Sequence, residues 1–232
     1  METASNRKGL AGDGMNWEYT FADKHAGETA LIIGNGPSLR NVPLDFLKKH
    51  KTFGTNRIYL LPDFTATFYC SVNPLVIQQS AAEINAYGAQ AKFITDSEAD
   101  SIKDCYPLVS TGLRTFSYNP AAYIFEGFTV TYVCMQLAFH MGFTTVLLVG
   151  VDHRFKMDGA PNAETTWQGD DPNHFSPDYF KDTKWNNPDL ANSEASYKLA
   201  KKAFDDAGRK IINLTEGTSL KVFEKGTVAE WM

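Results

Sequence analysis

Residues 30 to 39 read Ala-Leu-Ile-Ile-Gly-Asn-Gly-Pro-Ser-Leu. A short apolar run stops at Gly34-Asn35-Gly36, and Pro37 then suits the first position of a helix, where no backbone N–H is needed. Strand, tight turn and helix start in this order predict an α/β fold. The order also presents unpaired N–H groups and a positive dipole end to an anion. A nucleotide phosphate is the natural occupant, which marks Gly34, Asn35, Gly36 and Ser38 as candidate binding residues. The match to known fingerprints is partial. Leu39 stands where a dinucleotide site wants a third glycine, and the Gly-Lys-Ser/Thr of a P-loop is absent. A plain strand-to-helix turn would read the same from these residues alone.

The rest of the chain alternates in the same way. Lys51–Thr55, Thr65–Ser71, Lys92–Thr95, Thr145–Val149 and Lys210–Leu214 read as strands, with Ser219–Phe223 as a further edge strand. Helical spacing covers Pro43 to His50, Pro74 to Ala86 and Ser193 to Ala207, the last stopped by Gly208. Thr129 to Met141 is apolar nearly all round, so a buried helix is expected there, with Thr129 near its N-cap and Gly142 closing it. Residues 96 to 125 resist placement. The pattern predicts a mostly parallel sheet covered on both faces by helices. Residues 1–14, small, polar and glycine-containing, read as a disordered tail, and 15–232 as one domain with a lid insertion at about 152–191.

Composition narrows the function classes. The 27 acidic against 22 basic residues give a net charge of −5 with no long basic run, which argues against broad capture of nucleic acid. Cys70, Cys105 and Cys134 form no C-x-x-C pair and read as free thiols of a reducing compartment. The N-terminal residues, with Asp13 and Glu18, do not read as a signal peptide, and no segment is long enough to span a bilayer. A cytoplasmic protein is the expectation.

Ligands of open α/β sheets bind outside the carboxyl ends of the strands. Those ends carry Asn35, Asn56, Asn73, Asp152 and Asn213. Asparagine offers donor and acceptor without charge, so the set suits sugar hydroxyls, ribose and phosphate oxygens, although Asn is also a common turn residue. The aromatic-rich stretch from Asp152 to Leu190 reads as a partly mobile lid over that cleft. Asp152, His153, Asp170, Asp171 and His174 follow no compact metal motif, so no metal site is expected from spacing. His174 suits a general acid/base, or else packs among Phe175 and Tyr179. His140 reads as a core histidine; His25 and His50 read as surface residues.

Three blocks carry a family resemblance: Leu31 to Leu39; Phe68-Tyr69 with Asn73-Pro74; and Ala138 through Gly142-Phe143 to Asp152. They resemble the bacterial lipooligosaccharide sialyltransferases, which use a CMP-activated sugar on a Rossmann-like domain with a small lid. They resemble at least as much the broader 6-hydroxymethylpterin diphosphokinase-like family, which includes flagellin-glycosylation proteins. Phe53 to Tyr59, Asn173 to Pro177 and Ile211 to Gly217 fit that family better.

Carried over by position, the resemblance implies that Asn35 and Gly36 meet the donor phosphate and that Asn56 and Asn73 line the nucleotide-sugar pocket. It places Thr129 and Asp152 against the donor's sugar or base. The sialyltransferases have an arginine and Thr-Ser-Gly before the equivalent helix, where this chain has Gly127 and Thr129-Val130-Thr131. Their catalytic histidine aligns near Asp178, with His174 a few residues earlier. The implied function is transfer of a sialic-acid-like sugar from a CMP donor to a glycan or lipid-linked acceptor. No cofactor is required for it, and His174 or Asp178 would be the base. The alternatives are a pyrophosphokinase moving diphosphate from ATP to a pterin, with Mg²⁺ on Asp152, Asp170 and Asp171, and an inactive nucleotide-sugar-binding module. A homo-oligomer is compatible with each reading.

Overall fold

The computed structural model describes residues 17–232; the expected tail at 1–14 lies outside the described residues. In chain order the elements are α1 (Trp17–Phe21), β1 (Thr29–Ile33), α2 (Leu44–Lys48), β2 (Lys51–Thr55), β3 (Phe68–Ser71), α3 (Pro74–Ala86), β4 (Ala91–Thr95), β5 (Cys105–Leu108), α4 (Val130–His140), β6 (Thr145–Val149), β7 (Glu164–Thr166), β8 (Lys184–Asn186), α5 (Leu190–Asp206), β9 (Lys210–Asn213) and β10 (Glu224–Lys225). Eight strands form one sheet in the order β10-β9-β6-β1-β2-β3-β4-β5, and every neighbouring pair in it is parallel.

Parallel strands joined by helices are buried on both faces, so their residues are apolar without strict alternation. β1 shows the consequence. Ala30 and Ile32 pack with α4 and α5 on one face, while Leu31 and Ile33 pack with α2 and α3 on the other. α4 is the central helix of the first layer: Tyr132, Val133, Cys134, Met135, Leu137 and Ala138 are all fully buried. Gly142 ends it with φ of 90°, and Gly208 ends α5 with φ of 68°. The three cysteines are buried and unpaired.

The sheet edges explain two departures from the sequence reading. β5, absent from it, carries Pro107, which cannot donate to a ladder and is tolerated on an edge strand. At the other edge the strand is Glu224–Lys225 and not Ser219–Phe223. Leu220 and Phe223 turn inward to the core of the α4 face, so the ladder begins only after them. α5 also starts three residues earlier than Ser193, at Leu190, because Asp189 caps it by accepting the Asn192 N–H.

The 152–191 segment, read from sequence as a lid, is tied to the sheet by hydrogen bonds. β7 and β8 pair as a small antiparallel ribbon. Arg40 Nη2 and Nε donate to the carbonyls of His174 and Phe175 at 2.9 and 2.6 Å. Phe175 N–H donates to Asn35 O at 2.9 Å, and the Arg57 guanidinium holds Tyr179 O and, at 2.8 Å, Gln79 Oε1. Phe175, Tyr179, Phe180 and Trp185 join the core of the α2/α3 face.

Candidate functional site

From β1 the chain moves to β2 on one side, while β6, on the other side of β1, leads to β9. The sheet therefore reverses its order at the β1–β6 seam, the place where open parallel sheets bind ligands. The loops leaving the two strands are in contact. Gly36 N–H donates to Gly150 O at 2.8 Å, and a Cβ on Gly36 would stand 2.0 Å from Oδ2 of Asp152. Glycine alone leaves room for that carboxylate. Asp152 accepts the backbone N–H of Ser38 at 3.3 Å and its hydroxyl at 2.6 Å.

This arrangement corrects the phosphate expected at the glycine turn. The Gly36 N–H is spent on Gly150, and the Pro37–Asn41 turn already holds the chain's own Asp152. A phosphate placed there would also meet the Asp152 charge. Asn35 is no free donor either: its Nδ2 gives hydrogen bonds to Thr55 O and Thr55 Oγ1 at 3.0 and 2.9 Å. The Thr55 hydroxyl itself donates to Ile33 O at 3.0 Å, so it can only accept from Asn35, which fixes the amide's orientation. Asn35 Oδ1 is left buried without a partner.

Beyond the turn lies a cleft of two chambers. The inner one, about 150 Å³, is bounded by Gly34, Asn35, Gly36, Thr131, Asp152 and Tyr197. The outer one, about 560 Å³, is bounded by Asn73, Glu126, Asn162, Trp185 and their neighbours. Asn56, Thr129, Phe155 and His174 line both. Four non-glycine residues on these walls, Asn56, Phe128, His153 and Asn162, have φ of 49°, 62°, 53° and 65°. Left-handed backbone in bulky residues is costly and concentrates at functional sites.

Each wall residue has a local reason for its position. Asn56 accepts the Ser71 hydroxyl at 3.1 Å through Oδ1, which leaves its Nδ2 as a donor. Asn73 caps α3 by accepting Leu75 N–H at 2.9 Å and reaches Asn186 of the lid at 3.3 Å. Thr129 is the N-cap of α4, yet its side chain makes no cap hydrogen bond; its hydroxyl lies 3.3 Å from that of Tyr197. The N–H groups of Val130 and Thr131 at the start of α4 have no side-chain cap, and both residues line the inner chamber, while the Tyr132 N–H is spent on Thr129 O at 3.1 Å.

His174 is buried, with Nδ1 2.7 Å from Oδ2 of Asp171. Its ring stacks on Tyr179 at 4.0 Å between centroids. Both packing and a carboxylate fix this imidazole, and among the described residues Nε2 has no hydrogen-bond partner. Asp171 is itself held, accepting Asn173 N–H at 2.8 Å. Burial lowers the pKa of His153, against the opposing charge of Glu194 3.9 Å away. Burial raises the pKa of Glu126, partly offset by a hydrogen bond from Ser110.

Asp178 does not reach the cleft. Its side chain is 71% exposed and lies 3.6 Å from Lys181, so it is corrected as a base candidate. Ser38 does not line the chambers but holds Asp152. Asn213 serves its own turn by accepting Thr215 N–H at 3.0 Å. The suggested Mg²⁺ carboxylates do not converge: Asp152 is bound by Ser38, Asp171 by His174, and Asp170 pairs outside with Lys181 at 3.1 Å. Among the described residues no three His, Cys, Asp or Glu side chains gather as a metal site. His140 is a core histidine, with Nε2 3.1 Å from Glu18 O. His25 and His50 are half-buried, not surface residues; His25 stacks on Phe143 at 4.7 Å. Sequence reasoning missed Glu126, Arg40 and the orienting role of Asp171; only the Asp171-x-x-His174 spacing offered a signal.

Fold and cleft together define a Rossmann-like parallel α/β protein whose crevice lies at the topological switch point. The model for 6-hydroxymethylpterin diphosphokinase MptE-like proteins matches residues 14–158, and the chain belongs to that family. No curated protein matches it. Among solved structures, the MAf glycosyltransferase from Magnetospirillum magneticum AMB-1 is similar over 92% of this chain, at 14% identity and a TM-score of 0.57. This chain spans 37% of that protein's length, and the likeness is one of fold. Among the described residues no helix is long and apolar enough to cross a membrane.

Proposed function

We propose that the chain is a glycosyltransferase that moves an acidic, sialic-acid-like sugar from a CMP donor to a glycan or lipid-linked acceptor. The observation that carries this reading is the Asp171–His174 pair, whose imidazole lines both chambers of a switch-point cleft. A carboxylate on Nδ1 fixes the tautomer that leaves Nε2 basic, the arrangement a general base needs. His174 Nε2 takes the proton of the acceptor hydroxyl as its oxygen attacks the anomeric carbon. The bond from that carbon to the CMP phosphate breaks, and the phosphate leaves with the electron pair.

The departing phosphate has suitable donors on the α4 side of the cleft: the uncapped N–H groups after Thr129, the Thr129 hydroxyl and Asn56 Nδ2. Asn35 and Asp152, rich in acceptors, suit the hydroxyl-bearing part of the donor. The family's description keeps an ATP-dependent pterin pyrophosphokinase as the second reading. That chemistry demands Mg²⁺ on carboxylates, and Asp152, Asp170 and Asp171 stand apart. Thermal-shift titration with CMP, CDP, a pterin and ATP with Mg²⁺ separates the two, because a ligand of the folded state raises its apparent stability. Stabilisation by CMP supports the transferase. Stabilisation by ATP with Mg²⁺ and the pterin alone supports the kinase.

A further inference from the structure

Beyond Asn56, Thr129 and His174, which it shares with the inner chamber, the outer chamber has further wall chemistry. Five aromatic rings line it, Phe125, Phe128, Phe155, Phe180 and Trp185, alongside valines and prolines. Between them stand the amides of Asn73, Asn162 and Asn186, and among the described residues no lysine or arginine lines the chamber. Two carboxylates reach it. Asp189 is committed to the fold, accepting from Asn192 N–H at 3.1 Å and from the amides of Asn192 and Asn162 at 2.8 and 3.1 Å.

Glu126 is not committed in that way. It has no ion-pair partner among the described residues, and Ser110 alone hydrogen-bonds its side chain. The backbone just after it is strained at Phe128, whose φ is 62°, while Gly127 takes its φ of 63° freely. The strained turn is braced from both sides. Thr129 N–H donates to Glu126 O at 3.2 Å, and a Cβ on Gly127 would meet the Tyr132 ring at 2.3 Å. A half-buried carboxylate without a cation needs hydroxyl or amine donors from elsewhere. Aromatic faces cover the C–H faces of a sugar ring, and planar amides and carboxylates take its hydroxyls. An anionic group in the same place would face the Glu126 carboxylate; the neighbouring guanidinium, Arg114, stacks on the Phe128 ring at 5.3 Å and already acts on Asp189, and it does not line the chamber.

We propose that Glu126 is the specificity-determining residue of a saccharide subsite in the outer chamber, one that accepts a neutral, hydroxyl-rich sugar and rejects an anionic one. The subsite would hold the acceptor, and in that respect it rests on the transferase reading above. Saturation-transfer NMR on the full chain tests it, with lactose, maltose and methyl galactoside as neutral probes and methyl galacturonoside as the acidic one. At least one neutral probe should bind wild type, and the galacturonoside should bind at least tenfold more weakly than the galactoside. Glu126→Gln should weaken the neutral probe several-fold while strengthening the acidic one. Glu126→Ala should lose the neutral probe. A merely structural role would weaken both probes alike. Absence of any neutral binding, or an unchanged neutral-to-acidic ratio in Glu126→Gln, overturns the proposal. CMP titrated into the same samples keeps the two readings apart. CMP binding without saccharide preference removes the subsite and leaves the transferase. Saccharide preference without CMP binding leaves a sugar site and removes the CMP donor.

Discussion

Asp171 Oδ2 lies 2.7 Å from His174 Nδ1, and both side chains are buried beneath the lid aromatics. The pair fixes the imidazole on one side while Nε2 stays free, which is more than a packed histidine needs. His174→Ala should therefore lower turnover by about 10²–10⁴-fold, the range of a lost general base. Asp171→Asn should lower it less, by loosening the ring and its tautomer. Donor affinity should change little in either variant. Turnover with saturating donor, set beside donor dissociation constants, checks this; unchanged turnover in His174→Ala returns the residue to a packing role.

A second expectation concerns the seam between β1 and β6. Gly36→Ala forces a methyl group onto Asp152 Oδ2, 2.0 Å from the ideal Cβ. The Ser38–Asp152 contacts must give way, at a cost of about 1–3 kcal/mol. Removing the carboxylate in Gly36→Ala/Asp152→Ala should make the double variant more stable than the sum of the single losses implies. Urea unfolding of the four proteins measures the coupling, and strict additivity contradicts a Gly36–Asp152 clash.

The core of this fold was readable from residues because strand and helix periods agree with burial there. Ala30–Ile33 and Val146–Val149 are continuous apolar runs, and with Lys51–Thr55, buried from Thr52 onward, these strands build the centre of the parallel sheet. β5 was illegible because Cys-Tyr-Pro-Leu is short and contains a proline, tolerable only at an edge that sequence does not reveal. Most candidate cleft residues were visible as strand ends, since topology alone gathers them. Their individual roles were not. The glycine turn looked like an anion site until Asp152, 114 residues away from Ser38, was seen to fill it. Glu126 carried no sequence signal because its meaning comes from the chamber around it.

The lid depends on two arginines. Arg40→Ala removes both bonds to the carbonyls of His174 and Phe175, and Arg57→Ala removes those to Tyr179 O and Gln79. Each loss should weaken local closure by about 1–3 kcal/mol without unfolding the sheet. Limited proteolysis should then cut between residues 154 and 183 faster than in wild type. Equal cleavage rates would mean that the aromatic packing alone holds the lid.

Acid should destabilise the fold through two histidines. Burial lowers the folded-state pKa of His153 and of His50, the latter also through Lys49, from an ordinary value of 6.5. A depressed folded pKa gives stability that is present above pH 6.5 and lost as pH falls through the folded value. Unfolding midpoints should thus drop from neutral pH toward pH ~5, and drop less in His50→Asn/His153→Asn. An equal acid slope in the double variant contradicts these assignments.

The central claim is that the switch-point cleft binds the nucleotide of an activated sugar, with its phosphate at the start of α4. Isothermal titration of CMP, with and without EDTA, tests it most directly. CMP should bind once per chain, unaffected by EDTA, and Thr129→Val should weaken it by roughly 1–2 kcal/mol, as for a lost hydrogen bond to a charged group. No CMP binding, with ATP binding only when Mg²⁺ is present, would contradict the claim.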